Sequence, residues 1–249
     1  MPISAIYIDA ALPVITGMKT LSDFDVSNWF IGLPTTGATP YAGFYFGDPV
    51  TDITYDSYDQ NNPAVINGTV NNTGGFITVN PSNYLDTRKK ATLSVTICGV
   101  VKRNAAAGLN SHMIADYAGS GSTASGFSIG FDTSGRLFCV AQNTGQSAVY
   151  AYADFPSSIA AGSLFAFVAT VNQGVVAIDI FNAATSTLVS ATSTLPGTRA
   201  AGTNNVLMGR KTDNNVETSS KYIKSALLMN GSLTSAEKIS VSQFLLAMQ

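Results

Sequence analysis

Apolar and polar residues alternate with a period of two over much of the chain, the spacing that turns one face of a strand to a core and the other to water. In ATLSVTICGVVKR, Leu93, Val95 and Ile97 alternate with Thr92, Ser94 and Thr96 before the run becomes apolar on both sides. That predicts a strand entering the interior of a sheet. SGFSIGFDTSGRLFCVAQ predicts a hairpin, Phe127–Phe131 and Arg136–Gln142, with Gly135 supplying the positive φ that such a loop needs. SLFAFVATVNQGVVAIDIFN predicts a second hairpin around Asn172 to Gly174. Phe165, Phe167, Ala169 and Val171 form one of its faces, and Val176, Ile178 and Ile180 another. Thr187–Thr192, Val206–Gly209 and Tyr222–Met229 read as further strands, and Ala64–Val70 and Phe76–Val79 as short ones in a turn-rich segment. Only the end departs from this rhythm. Thr234 and Glu237 have the spacing of a capping box, ahead of Val241, Phe244, Leu245 and Met248 at helical spacing, so the chain should close with one amphipathic helix of about three to four turns.

Composition agrees with an all-β chain. Two Glu and eight Lys among 249 residues leave few exposed helix formers, while Gly (22), Ser, Thr and Asn supply turns. Residues 1–42 carry Pro2, Pro13, Pro34 and Pro40 and read as an N-terminal extension with two short strands, Ala5–Asp9 and Trp29–Gly32, that anchors or oligomerises the protein. Residues 43–249 then form the folded domain. Charged residues are 11%, against about 25% in a typical protein, and hydrophobic residues 45%, which excludes a disordered chain. The balance of −2 with no Lys/Arg stripe argues against a nucleic-acid binder. No apolar run approaches about 18 residues, and no positive segment precedes the first apolar stretch, so neither membrane insertion nor a signal peptide is expected.

Charge is unevenly spread: residues 1–87 hold eight Asp and one Lys, and residues 88–249 hold twelve bases against seven acids. Two surfaces of opposite sign on one molecule, or complementary faces between copies, would both account for it. Cys98 and Cys139 sit in apolar strands without zinc-ligand spacing, and read as buried reduced thiols, with a disulfide open if their strands are neighbours.

The front segment DSYDQNNPAVINGTVNNTGGFITV, the core strand TLSVTICGVV, the two hairpins, VLMGRK and the closing YIKSALLMNGSLTSAEKISVSQFL together resemble the concanavalin A-like lectin/glucanase superfamily in its laminin-G-like form. The resemblance implies two antiparallel sheets packed as a jelly-roll sandwich with a short C-terminal helix. The Ser/Thr/Asn/Gly-rich, Glu-poor composition also resembles bacteriophage virion proteins such as tail fibres and spikes.

Hydrolases on this scaffold place paired acids at alternate strand positions, because retaining hydrolysis needs carboxyls about 5–5.5 Å apart. Here Ala177 to Phe181 offers Asp179 alone, while Glu217 reads as a loop residue and Glu237 as a helix cap. No catalytic residue is therefore assigned and no enzyme is expected. The alternative, a glycan hydrolase or lyase, would have to use His112 with a nearby Tyr. Asp48, Asp52, Asp56 and Asp59 could gather round calcium, with Asn61 or Asn62 adding oxygens, or stand as solvated turn residues; no cofactor is assigned. Carbohydrate binding needs aromatic faces for sugar C–H surfaces and polar groups for hydroxyls. His112, Asp116, Tyr117, Tyr150, Asp213 and Asn214 are the candidates. The expected function is a non-enzymatic virion protein, a tail-fibre, spike or head-surface component. It would attach to host glycans or to other virion proteins, as a homo-oligomer for which a trimer is the expectation. A purely structural decoration protein is a further alternative.

Overall fold

The computed structural model describes residues 28–48, 50–105 and 109–248. In chain order the first strands are β1 (Thr39–Tyr45), β2 (Val65–Asn67), β3 (Asn71–Asn72), β4 (Ile77–Val79), β5 (Tyr84–Lys90), β6 (Val95–Lys102), β7 (Ser111–Ala115) and β8 (Gly126–Phe131). There follow β9 (Leu137–Gln142), β10 (Val149–Ala153), β11 (Leu164–Asn172), β12 (Val175–Asn182), β13 (Thr187–Thr194), β14 (Asn205–Met208), β15 (Lys221–Asn230) and the helix α1 (Ser235–Ala247). All pairings are antiparallel. Sheet A runs β13-β12-β11-β6-β15-β4-β3, and β1 pairs along the C-terminal half of β15 on the edge whose N-terminal half holds β4. Sheet B runs β10-β9-β8-β7-β14-β5-β2. The expected all-β, two-sheet jelly-roll sandwich with a C-terminal helix is thus the observed architecture.

Alternation decides what lies between the sheets. Val95, Ile97 and Val101 of β6, with Phe165, Phe167, Ala169 and Val171 of β11, face Phe127, Ile129 and Phe131 of β8 and Leu137, Cys139 and Ala141 of β9 in one core. The expected face of β12, Val176, Ile178 and Ile180, joins them. Both hairpins turn where expected, and Gly135 has φ 76°. β6 is buried on both faces, as its doubly apolar run requires. Its outward residues Cys98 and Val100 belong to a second cluster with Ala166, Val168, Phe181, Leu227 and Met229, roofed by Val241 and Leu245 of α1 and by Phe30. Thr234 caps α1 in a complete capping box, and Glu237 also accepts the Gly37 amide at 2.7 Å, fastening the helix start to the segment before β1. Asp179, outward on β12, accepts Lys238 Nζ at 2.7 Å and ties the helix to the sheet.

Two expectations change and a third lies outside the described residues. The anticipated boundary between residues 42 and 43 falls inside β1, whose pairing with β15 starts at Thr39, so residues 39–42 are part of the sandwich. Trp29–Gly32 forms a turn rather than a strand, with Leu33 N donating to Phe30 O, because Trp29 and Phe30 are needed as packing on the outer face of sheet A. Ala5–Asp9, with the rest of the expected anchoring extension up to residue 27, lies outside the described residues. β1, β5, β7 and β10 are strands that periodicity did not announce. Among the described residues no helix is long and apolar enough to cross a membrane.

Cys98 lies outside sheet A and Cys139 between the sheets, both free and buried, which decides against a disulfide. Burial pushes both thiols up to about 12, so native protein should leave both unreactive toward a thiol reagent at pH 8, and denaturant should release two. Leu245→Ala should cost about 2–5 kcal/mol by emptying the roof over β6, and Thr234→Ala about 1 kcal/mol by losing the cap. Urea denaturation measures both.

Candidate functional site

With α1 covering sheet A, the outer face of sheet B and the loops at one end of the sandwich are left for a ligand. Period-two alternation turns Phe138, Gln142, Ser128, Tyr150 and Tyr152 outward from β8, β9 and β10, since their neighbours Cys139, Ala141, Ile129 and Ala151 face the core. Tyr150 and Tyr152, two apart on β10, stack with ring centroids 5.4 Å apart and planes 4° apart. Phe138 packs against both, and the Arg136 guanidinium lies 4.3 Å from the Tyr152 ring centre. This ladder is a partly exposed aromatic cluster on the outer face of sheet B, its rings packed largely against one another.

His112 is partly buried among the outward residues of sheet B. Its Nδ1 is 2.8 Å from Ser128 Oγ, and its ring meets Phe138 edge-on at 5.8 Å. Burial, with the charges of Lys211 and Lys221, lowers its pKa to about 4, so it is neutral at physiological pH. In this structure its contacts are a hydrogen bond with Ser128 and an edge-on packing against Phe138.

Tyr117 follows β7 and donates its hydroxyl to Gln142 Oε1. Gln142 Nε2 in turn donates to Gly121 O at 2.7 Å and Gln146 O at 2.6 Å, drawing the 121–123 turn and the loop after β9 together. These residues line an open groove of about 500 Å³, with Ser122 and Gly145 on its walls. Burial raises the Tyr117 hydroxyl pKa, and nearby Tyr150 and Asp213 add to it. Asp213, in the loop from β14 to β15, accepts the Gly119 amide at 2.8 Å through Oδ2, while its buried Oδ1 has no hydrogen-bond partner. Asn214 sits exposed at that loop's tip with φ 50°. Among the described residues no hydrogen bond ties its side chain to the groove.

Asp116, one residue before Tyr117, points the other way. It is 1% exposed and lines a smaller chamber of about 170 Å³ with Arg199, Gln142, Asn143, Gly126 and Gly202. Burial lifts its pKa to about 6 against the Phe127 amide and the Arg199 charge, which pull it down. Arg199, buried at 4% exposure, donates Nε to Leu93 O at 2.9 Å and Nη2 to Thr92 O at 3.4 Å. The sequence reading missed it, though a signal existed: Arg199 is the lone charge between Asp179 and Arg210, inside the small-residue loop PGTRAAGTNN. Gln142 lines both spaces and links groove to chamber.

The aspartates proposed for calcium do not converge. Asp56 is fully buried, accepts the Gly43 and Tyr58 amides, and lies 3.4 Å from Lys89 Nζ, which is 2.5 Å from Asp59. Asp52 bonds Thr54 instead. The Lys89 ammonium lies between Asp56 and Asp59 and offsets one of their two charges, and among the described residues no three His, Cys, Asp or Glu side chains gather as a metal site. The other acids weighed as catalytic are also engaged: Asp179 by Lys238, Glu217 by buried Lys221 at 2.8 Å, and Glu237 by the helix cap.

No family model and no curated protein matches the sequence. Solved structures do match the fold. Trypanosoma rangeli sialidase in complex with sialic acid aligns over 86% of this chain and 33% of its own, with 12% identity and a TM-score of 0.59. A botulinum neurotoxin type C structure aligns over 85% and 51%, with 13% identity and a TM-score of 0.60. The botulinum neurotoxin serotype G binding domain aligns over 84% and 52%, with 12% identity and a TM-score of 0.60. The chain thus spans a third to about half the length of the structures it matches, and at these identities the likeness is one of fold.

Asp116 gives a signed stability test. Its folded pKa, about 6, exceeds the ordinary aspartate value of 3.8, so the native state holds the proton more tightly. Its stabilising share is full below about pH 4 and is lost as pH rises through 6. Asp116→Asn keeps an acceptor for Phe127 N and removes that loss. The variant should gain up to about 3 kcal/mol on wild type between pH 4 and pH 7.5. Equal pH slopes in urea titrations of the two proteins would contradict the burial argument.

Proposed function

We propose that this protein is a non-enzymatic glycan-binding module. Its ligand lies along the groove at the loop end of the sandwich and over the outer face of sheet B. The observation that carries the reading is the junction at Gln142. There Tyr117 and an open polar groove meet a second, enclosed polar chamber, with the Tyr150–Tyr152 stack on the same sheet. Aromatic faces beside fixed amides and a carboxylate are the pairing a sugar requires, apolar on its C–H faces and polar at its rim. The fold likeness supports the reading: the sialidase is described with sialic acid, and neurotoxin type C depends on two ganglioside molecules to get into cells. The absence of an enzyme is part of the same proposal, supported by the engagement of Asp179, Glu217 and Glu237 in ion pairs and a cap, and of His112 with Ser128.

The setting we propose is a bacteriophage virion, as a tail-fibre, spike or head-surface component in contact with other virion proteins and further copies of itself. Its support is the Glu-poor, Ser/Thr/Asn/Gly-rich composition.

A glycan array probed with the full chain tests the binding. We expect signal on a restricted set of polysaccharides, and roughly tenfold weaker binding, about 1.4 kcal/mol, for Tyr117→Ala and for Tyr150→Ala. An array with no signal, or shortening of any bound polysaccharide during incubation, overturns the reading.

A further inference from the structure

We propose that the chamber between Asp116 and Arg199 is a subsite for one neutral sugar unit, gripped through two adjacent hydroxyls, and that it rejects acidic sugars. The inference rests on the glycan-binding reading and specifies its chemistry.

The chamber holds two charged side chains, each more than nine-tenths buried, that do not neutralise each other directly. Among the described residues, no ion pair within 4.0 Å joins Asp116 to any base. Arg199 is held by backbone carbonyls of the 92–93 turn, and its own amide donates to Gln173 Oε1 at 2.9 Å. Its Nη1 donates to no described residue. Asp116 Oδ1 accepts the Phe127 amide at 2.6 Å, and Oδ2 accepts no hydrogen bond from a described residue. A guanidinium edge and a carboxylate oxygen thus line one small space, both anchored from behind and both unspent in front.

Two glycines let the backbone pack close against the carboxylate without covering it with a side chain. A Cβ on Gly202 would stand 2.5 Å from Asp116 Oδ2, and one on Gly126, at φ 105°, 2.6 Å from Oδ1. Any side chain at either position would collide with the group that a ligand must reach.

The donor and acceptor pattern selects the ligand. An acceptor-only carboxylate needs an O–H, and a donor-only guanidinium needs an oxygen. Two adjacent hydroxyls of one ring satisfy both, one donating to Asp116 Oδ2 and its neighbour accepting from Arg199 Nη1. Asp116 and Arg199 together carry no net charge, so a neutral ligand preserves the balance. A sugar carboxylate would bring a second anion beside buried Asp116, and like charges at short range in a poorly solvated site repel strongly. The chamber's about 170 Å³ suits one unit, while the about 500 Å³ groove beyond Gln142 takes the rest of a chain.

Isothermal titration calorimetry on the full chain at pH 7.5 tests this. The ligands are galactose, glucose, mannose and N-acetylglucosamine, set against glucuronate and N-acetylneuraminate. We expect at least one neutral sugar to bind and neither acidic sugar to do so. Asp116→Asn and Arg199→Gln, checked by thermal melting, should each weaken that binding at least roughly tenfold. Wild type binding an acidic sugar as tightly as a neutral one overturns the inference whether or not the variants fold. So does unchanged neutral-sugar binding in both variants. If array glycans still bind wild type, Asp116→Asn and Arg199→Gln alike but are lost in Tyr117→Ala, the subsite fails while the glycan reading stands. If no glycan binds any form, both fail.

Discussion

A strand that is apolar on both faces must be covered twice, and β6 imposes that demand on the whole molecule. Its inward residues Val95, Ile97 and Val101 require sheet B, and its outward Cys98 and Val100 require a roof. The roof is α1 with the turn around Phe30, held by the Asp179–Lys238 ion pair and by Glu237, which caps the helix and grips Gly37 at once. The molecule therefore has three layers at its centre, and sheet A has no broad free face. Among the described residues no helix covers the outer face of sheet B, which is why the proposed ligand site is placed there.

The polar groups divide along the same line. Asp179, Glu217, Lys89 and Lys221 are buried or nearly so, and each has an opposite charge within 4.0 Å. A buried charge with a close partner is the arrangement that stability demands. Asp116 and Arg199 break this rule. Both are buried, neither has such a partner among the described residues, and the raised Asp116 pKa records the burial of its charge. Natural proteins tolerate such a cost chiefly where a ligand or reaction requires it. This contrast is what separates the chamber from the other acidic clusters of the chain, including the four aspartates of residues 48–59.

The candidate residues named from sequence fall into three groups in space. Tyr117 and Tyr150 lie on the outer side of sheet B, close enough for Tyr150 to raise the Tyr117 pKa, and Asp213 braces the turn beside them. Asp116 belongs to the interior chamber on the opposite side of the same strand end, reversed by the one-residue step from Tyr117. His112 contacts Ser128 and Phe138, and Asn214 stands at a loop tip. Gln142 and Arg199, which connect and complete the two spaces, were not among them. A glutamine ending an apolar strand and a single arginine in a glycine-alanine loop carry no motif, and acquire meaning only from what the fold sets beside them.

Local patterning alone was enough for the two long hairpins, the buried β6, the last strand and the capped helix, because alternation and capping act within a few residues of chain. It failed at β1, β5, β7 and β10. In β5 (YLDTRKK) the sequence is polar for most of its length, and only pairing with β14 and β2 makes a strand of it. It failed also at Trp29–Gly32, where the outer face of sheet A, not local propensity, dictates a turn. The site lay further out of reach for the same reason. Asp116, Gln142 and Arg199 are separated by 26 and 57 residues and meet only because antiparallel pairing brings the ends of β7 and β9 and the approach to β14 to one rim. Side-chain periodicity is a property of neighbours along the chain, whereas a binding chamber is a property of neighbours across it, and only the closed sandwich creates those.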